Sequence, residues 1–138
     1  MVELEKICFP PPDNYDLRTL QNFVSLNGAG LLRWYPDSPA GAGAPPPLVA
    51  FHLFDCFTAE LITLDVHPDW RRQGIGSALL SRSLAKLRSL GHATVTCQIA
   101  VDNAASLALH AKFGFTPVGK IIGYYGSGRD AIHLAARL

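Results

Sequence analysis

The passage that most restricts this chain is Leu64-Asp65-Val66-His67-Pro68-Asp69-Trp70-Arg71-Arg72-Gln73-Gly74-Ile75-Gly76-Ser77. Residues up to Val66 read as a strand, Pro68 ends it, and the glycines fall at the first turn of a helix. That helix is predicted by Ile75, Leu79, Leu80, Leu84, Leu87 and Leu90 at helical spacing, and Gly91 closes it. The first N–H groups of a helix have no internal partner and carry the positive end of its dipole. Glycine lets a ligand approach them closely. The passage therefore reads as an anion site suited to a phosphate or pyrophosphate, with Arg71 and Arg72 adding full charges. Neither GxGxxG nor GxxxxGK(S/T) fits it, since only Gly74 and Gly76 are present. The plainer alternative is a glycine turn that merely caps a helix.

Around this passage the pattern alternates between helical and extended segments. Val2 to Phe9 is predicted as a short helix stopped by Pro10-Pro11-Pro12, and Leu17 to Leu26 as a second. Leu31 to Tyr35 reads as a strand, Pro36 to Pro47 as a hairpin loop, and Leu48 to Phe57 and Glu60 to Val66 as an antiparallel pair. Ala93 to Ala100 is a β-branched strand, and Asn103 opens a helix over Ala104 to Phe113, closed by Gly114. Phe115 to Tyr125 and Asp130 to Leu138 complete the chain as two strands. The expected fold class is α+β, a mixed sheet that is antiparallel first and then contains a strand–helix–strand crossover.

Composition narrows the function. With 138 residues the chain has room for one domain, and 49% apolar against 17% charged residues excludes a disordered chain. A net charge of +1 offers no footprint for duplex nucleic acid. No apolar run is long enough for a bilayer, and the amino-terminal residues show no export signal, so no membrane partner is expected. Cys8, Cys56 and Cys97 are scattered, with no CxxC or Cys/His cluster. That argues against a metal site and for a reducing, cytoplasmic setting in which thiols act as small buried hydrophobes.

Arg71-x-x-Gly74-x-Gly76 resembles the R/Q-x-x-G-x-G/A signature of the GNAT N-acetyltransferase superfamily. The flanking LDVHPDW and SALLSRSLAKLRSLG are similar to it too, as is Asn103-Ala104-Ala105-Ser106 followed by Leu109-His110 and Phe113-Gly114-Phe115. The resemblance covers nearly everything from Leu48 onward and implies a single acetyltransferase domain over residues 1–138. It implies a mixed, mostly antiparallel sheet flanked by about four helices, with the first strand short or missing. It also implies acetyl-CoA as cosubstrate and no metal. The pyrophosphate is expected on Arg71, Arg72, Gln73, Gly74, Ile75, Gly76 and Ser77, the pantetheine arm along the backbone of Leu64, Asp65 and Val66, and Asn103 near the thioester. Tyr124-Tyr125 before Arg129-Asp130-Ala131-Ile132, with Pro12-Asp13-Asn14-Tyr15, resembles ribosomal-protein alanine and other N-terminal acetyltransferases. That implies Tyr15, Tyr124 and Tyr125 as substrate-binding residues.

The chain departs from that pattern at two positions. Gln98 stands where a carboxylate or histidine is common, and an amide is no base at neutral pH. His110 stands where a tyrosine commonly protonates the leaving thiolate, a feature shared with small-molecule amino-acid acetyltransferases. Deprotonation at pH 7 costs about 1 kcal/mol for an α-amine and about 4.6 kcal/mol for a lysine, so a site without a strong base favours the α-amine. The expected catalytic groups are Glu60 as base through water and His110 as acid, with Tyr124 or Tyr125 as substitutes and the Val66 N–H as donor to the thioester oxygen. The expected partner is an amine, a protein or peptide N-terminus first. A small amine or amino acid, a non-catalytic CoA-binding module and a nucleotide-binding regulatory domain stay open. The missing first strand leaves room for a homodimer. Asp65 is read as structural on the residues themselves, His52 and His133 as packing or surface groups, His92 as solvated after Gly91, and Asp130 as positioning the last hairpin.

Overall fold

The computed structural model describes residues 1–37 and 43–138. Residues 38–42, part of the expected hairpin loop, lie outside the described residues. Two helices come first, α1 (Val2–Cys8) and α2 (Leu17–Ser25), and Asp16 caps α2 by accepting the Thr19 N–H at 2.8 Å. The strands β1 (Ala29–Trp34), β2 (Ala50–Asp55) and β3 (Glu60–Val66) follow as an antiparallel meander. A short 3-10 turn, Pro68–Trp70, leads to α3 (Ile75–Ser89), then β4 (Thr94–Ala100), α4 (Ala104–Lys112), β5 (Thr116–Ile121) and β6 (Ala131–Arg137).

The six strands form one sheet in the order β1-β2-β3-β4-β6-β5, and only β3 and β4 run parallel. This is the expected mixed, mostly antiparallel α+β sheet with four α-helices. No helix among the described residues is long and apolar enough to cross a membrane.

Both faces of the central sheet are covered, which is why β2 reads as an almost unbroken apolar run rather than an alternating one. Leu80, Leu84 and Leu87 of α3 pack with Phe54, Leu61, Val95, Cys97 and Leu134. Helices α1 and α2 lie against β3 and β1, with Leu4 and Leu20 buried. His52 is fully buried, its Nδ1 2.9 Å from the Thr63 carbonyl and its Nε2 3.0 Å from the Ser83 hydroxyl. It is therefore a packed core histidine.

The register between β2 and β3 is interrupted once. Phe54 pairs with Leu61 but Leu53 pairs with Thr63, so Ile62 is an extra residue bulged out of β3. On its other edge β3 pairs with β4 only at Glu60–Thr96 and Leu61–Cys97. Beyond the bulge the two parallel strands part, and a slot opens between their carboxyl-terminal halves.

Candidate active site

The slot has a definable wall. His67 donates its N–H to Val49 at 2.8 Å, toward β2. Backbone groups alternate sides along a strand, so Leu64 and Val66 face the slot while Asp65 faces β2. Of the three residues expected along the pantetheine arm, Asp65 is thus turned away, and its side chain is buried beneath α1. The Val66 carbonyl accepts from Arg71 Nε at 2.9 Å and from the Cys8 thiol at 3.4 Å. Leu64 and the Val66 N–H remain to face a ligand.

At one end of the slot stands the amino terminus of α3. Its cap is Gly74, at φ +81, with no side-chain hydrogen bond to the first amides. A Cβ built on Gly74 would meet nothing within 4 Å, so the space beside the helix cap itself is open. Gly76 sits in a tighter place. A Cβ there would stand 3.3 Å from Leu109 of α4 and 3.7 Å from Val66, where α3, α4 and β3 converge. Arg72 takes φ +61, a left-handed conformation uncommon for a residue with a Cβ. The two arginines differ in duty, since Arg71 braces the end of β3 and exposed Arg72 has no partner among the described residues. Open amides, no capping side chain and an unpaired cation fit a diphosphate. Asn103 caps α4 with its side-chain oxygen, accepting the Ser106 N–H at 3.1 Å, which leaves its amide NH2 available.

At the other end a cavity of about 150 Å³ is lined by Tyr15, Phe23, Leu26, Asp55, Glu60, Ile62, Gln98 and Tyr124. The structure thus brings Glu60, Tyr15 and Tyr124 together around one cavity. Tyr125 stands edge-to-face on Tyr124 at 5.0 Å. Burial, and then the Glu60 charge, push the Tyr124 phenol up, and burial raises Tyr125 to about 12. Both phenols keep their protons at neutral pH. The Gln98 amide donates to His133 Nδ1 at 3.1 Å, which leaves its carbonyl for the cavity.

His110 is placed differently from expectation. Its ring is 3% exposed, Nδ1 donates to the Ser106 carbonyl at 2.8 Å, and the ring packs edge-on against Phe115 at 5.2 Å. Burial lowers its pKa, so the neutral form prevails with its one N–H already spent. It has no proton to give a leaving group, whereas Tyr124 has. His92 is likewise not simply solvated: its Nε2 lies 2.6 Å from the Cys56 carbonyl. Asp130, read as positioning the last hairpin, accepts from the Gly123 N–H and pairs with Lys120, both at 2.9 Å.

Phe23, Leu26, Asp55 and Ile62 complete the cavity and escaped the sequence reading, since no local motif marks them. The bulge that turns Ile62 outward leaves no compositional trace.

A slot between two parting parallel strands, with the uncapped terminus of α3 at one end and a tyrosine–carboxylate cavity at the other, is the candidate site of this α+β domain. Residues 2–115 match the family model described as Acetyltransferase (GNAT) family, and the chain belongs to that family. Over 80 residues it is 39% identical to the ribosomal protein bS18 alanine N-acetyltransferase of Escherichia coli strain K12, covering 56% of this chain and 54% of that protein. Over 80 residues it is 34% identical to an N-alpha-acetyltransferase of Sulfurisphaera tokodaii, covering 57% of this chain and 48% of that one. The match therefore spans about half the length of these relatives. Among solved structures, the ribosomal-protein alanine N-acetyltransferase of Escherichia coli superposes with a TM-score of 0.77 at 24% identity, over 99% of this chain and 84% of that one. Arabidopsis thaliana NAA60 in complex with a bisubstrate analogue gives 0.78 at 19% identity, over 99% and 92%. At these identities the likeness is one of fold.

Proposed function

We propose that this chain is an acetyl-CoA-dependent N-acetyltransferase acting on a free α-amine at the end of a peptide or protein. The carrying observation is the cavity at the end of the slot, which joins two carboxylates, two tyrosines and an amide without a cationic side chain among its lining residues. A free amino acid would bring a carboxylate beside Asp55 and Glu60 with no cation to balance it, which disfavours that substrate. A peptide amine brings only positive charge, which the two carboxylates attract.

The residues divide the work by position. The amides of Ile75, Gly76 and Ser77, with Arg72, would hold the diphosphate of acetyl-CoA, and Leu64 and Val66 its pantetheine arm. When bound, acetyl-CoA supplies the activated acyl carbon. Glu60 takes a proton from the incoming ammonium through water, so that the nitrogen attacks as a neutral amine. Val66 stands at the diphosphate end, so the N–H of Leu64, nearer the cavity, rather than that of Val66, donates to the oxygen on which charge develops. Tyr124 gives its proton to the departing sulfur, the role for which His110 lacks a free N–H. Tyr15 and Tyr125 flank the amine. Three unpaired thiols support a cytoplasmic setting.

The test is release of free thiol from acetyl-CoA with a panel of N-terminal peptides, free amino acids and small amines. Turnover confined to peptides with a free α-amine is the expected outcome. Tight acetyl-CoA binding without thiol release on any amine would make the chain a binding module instead.

A further inference from the structure

Three segments far apart in sequence meet on one guanidinium. Arg129, in the β5–β6 loop, donates through Nε to Asp13 Oδ2 at 2.9 Å, again through Nη2 to the same oxygen, and through Nη1 to Asp102 at 2.7 Å. Asp13 belongs to the loop between α1 and α2, and Asp102 immediately precedes Asn103 at the start of α4. Asp13 also accepts the Ser127 N–H at 2.9 Å and the Ser127 hydroxyl at 2.8 Å. Its side chain is 5% exposed. The contact is close in backbone as well, since a Cβ on Gly126 would stand 2.9 Å from the Pro12 carbonyl. The guanidinium lies 5.4 Å over the Tyr125 ring.

We infer that Arg129 is a positioning residue of the amine site, pinning the α1–α2 loop, the β5–β6 loop and the start of α4 into one rim. This rests on the reading of the cavity as an amine site and names what holds it in shape. Tyr15 follows Asp13 by two residues, and Tyr124 and Tyr125 precede Arg129 in the same loop. The pin therefore sets the separation of the aromatic walls between which the amine enters. It touches neither the amine nor the acyl group. Its loss should widen the groove and leave the chemistry intact for a substrate once seated. A planar donor that reaches two carboxylates at once suits arginine and not lysine.

The experiment compares Arg129→Ala, Arg129→Lys and Asp130→Asn. Asp130→Asn loosens the same hairpin through Gly123 and Lys120 without touching the pin. Kinetics use acetyl-CoA and the best acceptor among peptides of the form X-Ala-Ala-Ala-Tyr amide, with CoA affinity by calorimetry and hydrogen exchange on the free protein. Arg129→Ala should raise KM for the peptide about tenfold, with kcat within about threefold and CoA affinity unchanged. Arg129→Lys should fall between Ala and the wild type, and Asp130→Asn should keep KM within about twofold. Exchange in Arg129→Ala should rise together in residues 10–16 and 122–130. An unchanged KM, an equal KM rise in Asp130→Asn, or faster exchange in 122–130 alone would overturn the inference. If the wild type acetylates no peptide, the activity itself is refuted, and the paired exchange response alone decides whether Arg129 is the pin. Should Arg129→Ala not fold, Arg129→Lys carries the same comparison with a smaller KM rise.

Discussion

Gly74 and Glu60 show how differently single residues can be written into a sequence. Gly74 announces itself by spacing, and the structure gives the reason: its φ of +81 lies where a Cβ is strained, and the space above it is open. Gly74→Ala should cost about 1 kcal/mol of stability through the left-handed backbone. It should also weaken CoA affinity about tenfold by crowding the amides, measured by calorimetry. Glu60 carries no motif and is legible only as a carboxylate opening a strand. If it accepts the amine proton, Glu60→Gln should lower kcat about a hundredfold while peptide KM moves little. A kcat within twofold of the wild type would remove it from that role. His110 marks the limit of such reading, because whether its N–H is free depends on the Ser106 carbonyl one helical turn away.

Among the elements, α1 is held to β3 by an unusual contact. Glu5 is 1% exposed and Asp65 is fully buried, and each carries one oxygen, Glu5 Oε2 and Asp65 Oδ2, without a partner among the described residues. Burial first, and then the other acidic group, push Asp65 well above the usual carboxylate range, and burial raises Glu5 too. The folded pair therefore binds a proton more tightly than the unfolded chain does. Its stabilisation is complete below the ordinary carboxylate range and is lost as pH rises through the raised pKa. Glu5→Gln should make the protein more stable than the wild type at alkaline pH, with the difference shrinking on acidification, read as melting temperature against pH. His52 works in the opposite direction. Burial lowers its pKa from 6.5 to about 4, so its contribution is complete above 6.5 and is lost as pH falls through about 4. Together the two predict a stability maximum between these limbs.

For the molecule as a whole, a ligand held in the slot of the folded chain alone would tie binding to folding in one equilibrium. Acetyl-CoA at a hundred times its dissociation constant should add about 2.7 kcal/mol, a rise of roughly 8–15 °C in melting temperature for a domain of this size. A thermal scan that showed no shift would refute the assignment of the α3 terminus to the diphosphate. Much of the architecture was legible beforehand, because hydrophobic period, proline stops and glycine spacing are local properties that neighbouring residues impose on one another. The meander, the crossover helix and the open amides of α3 follow from such patterns, and so does Asn103 as a cap. Which groups share a site was legible only in part. The bulge at Ile62 reverses the facing of β3, the parting of β3 from β4 depends on both strands at once, and Asp13 meets Arg129 across most of the chain. Local stereochemistry thus determined the elements and the glycine turn that opens α3. Tertiary packing alone decided the tyrosine–carboxylate cavity, the burial of His110 and the meeting of three segments on Arg129, since solvent exposure and hydrogen-bond partnership exist only once distant segments have come together.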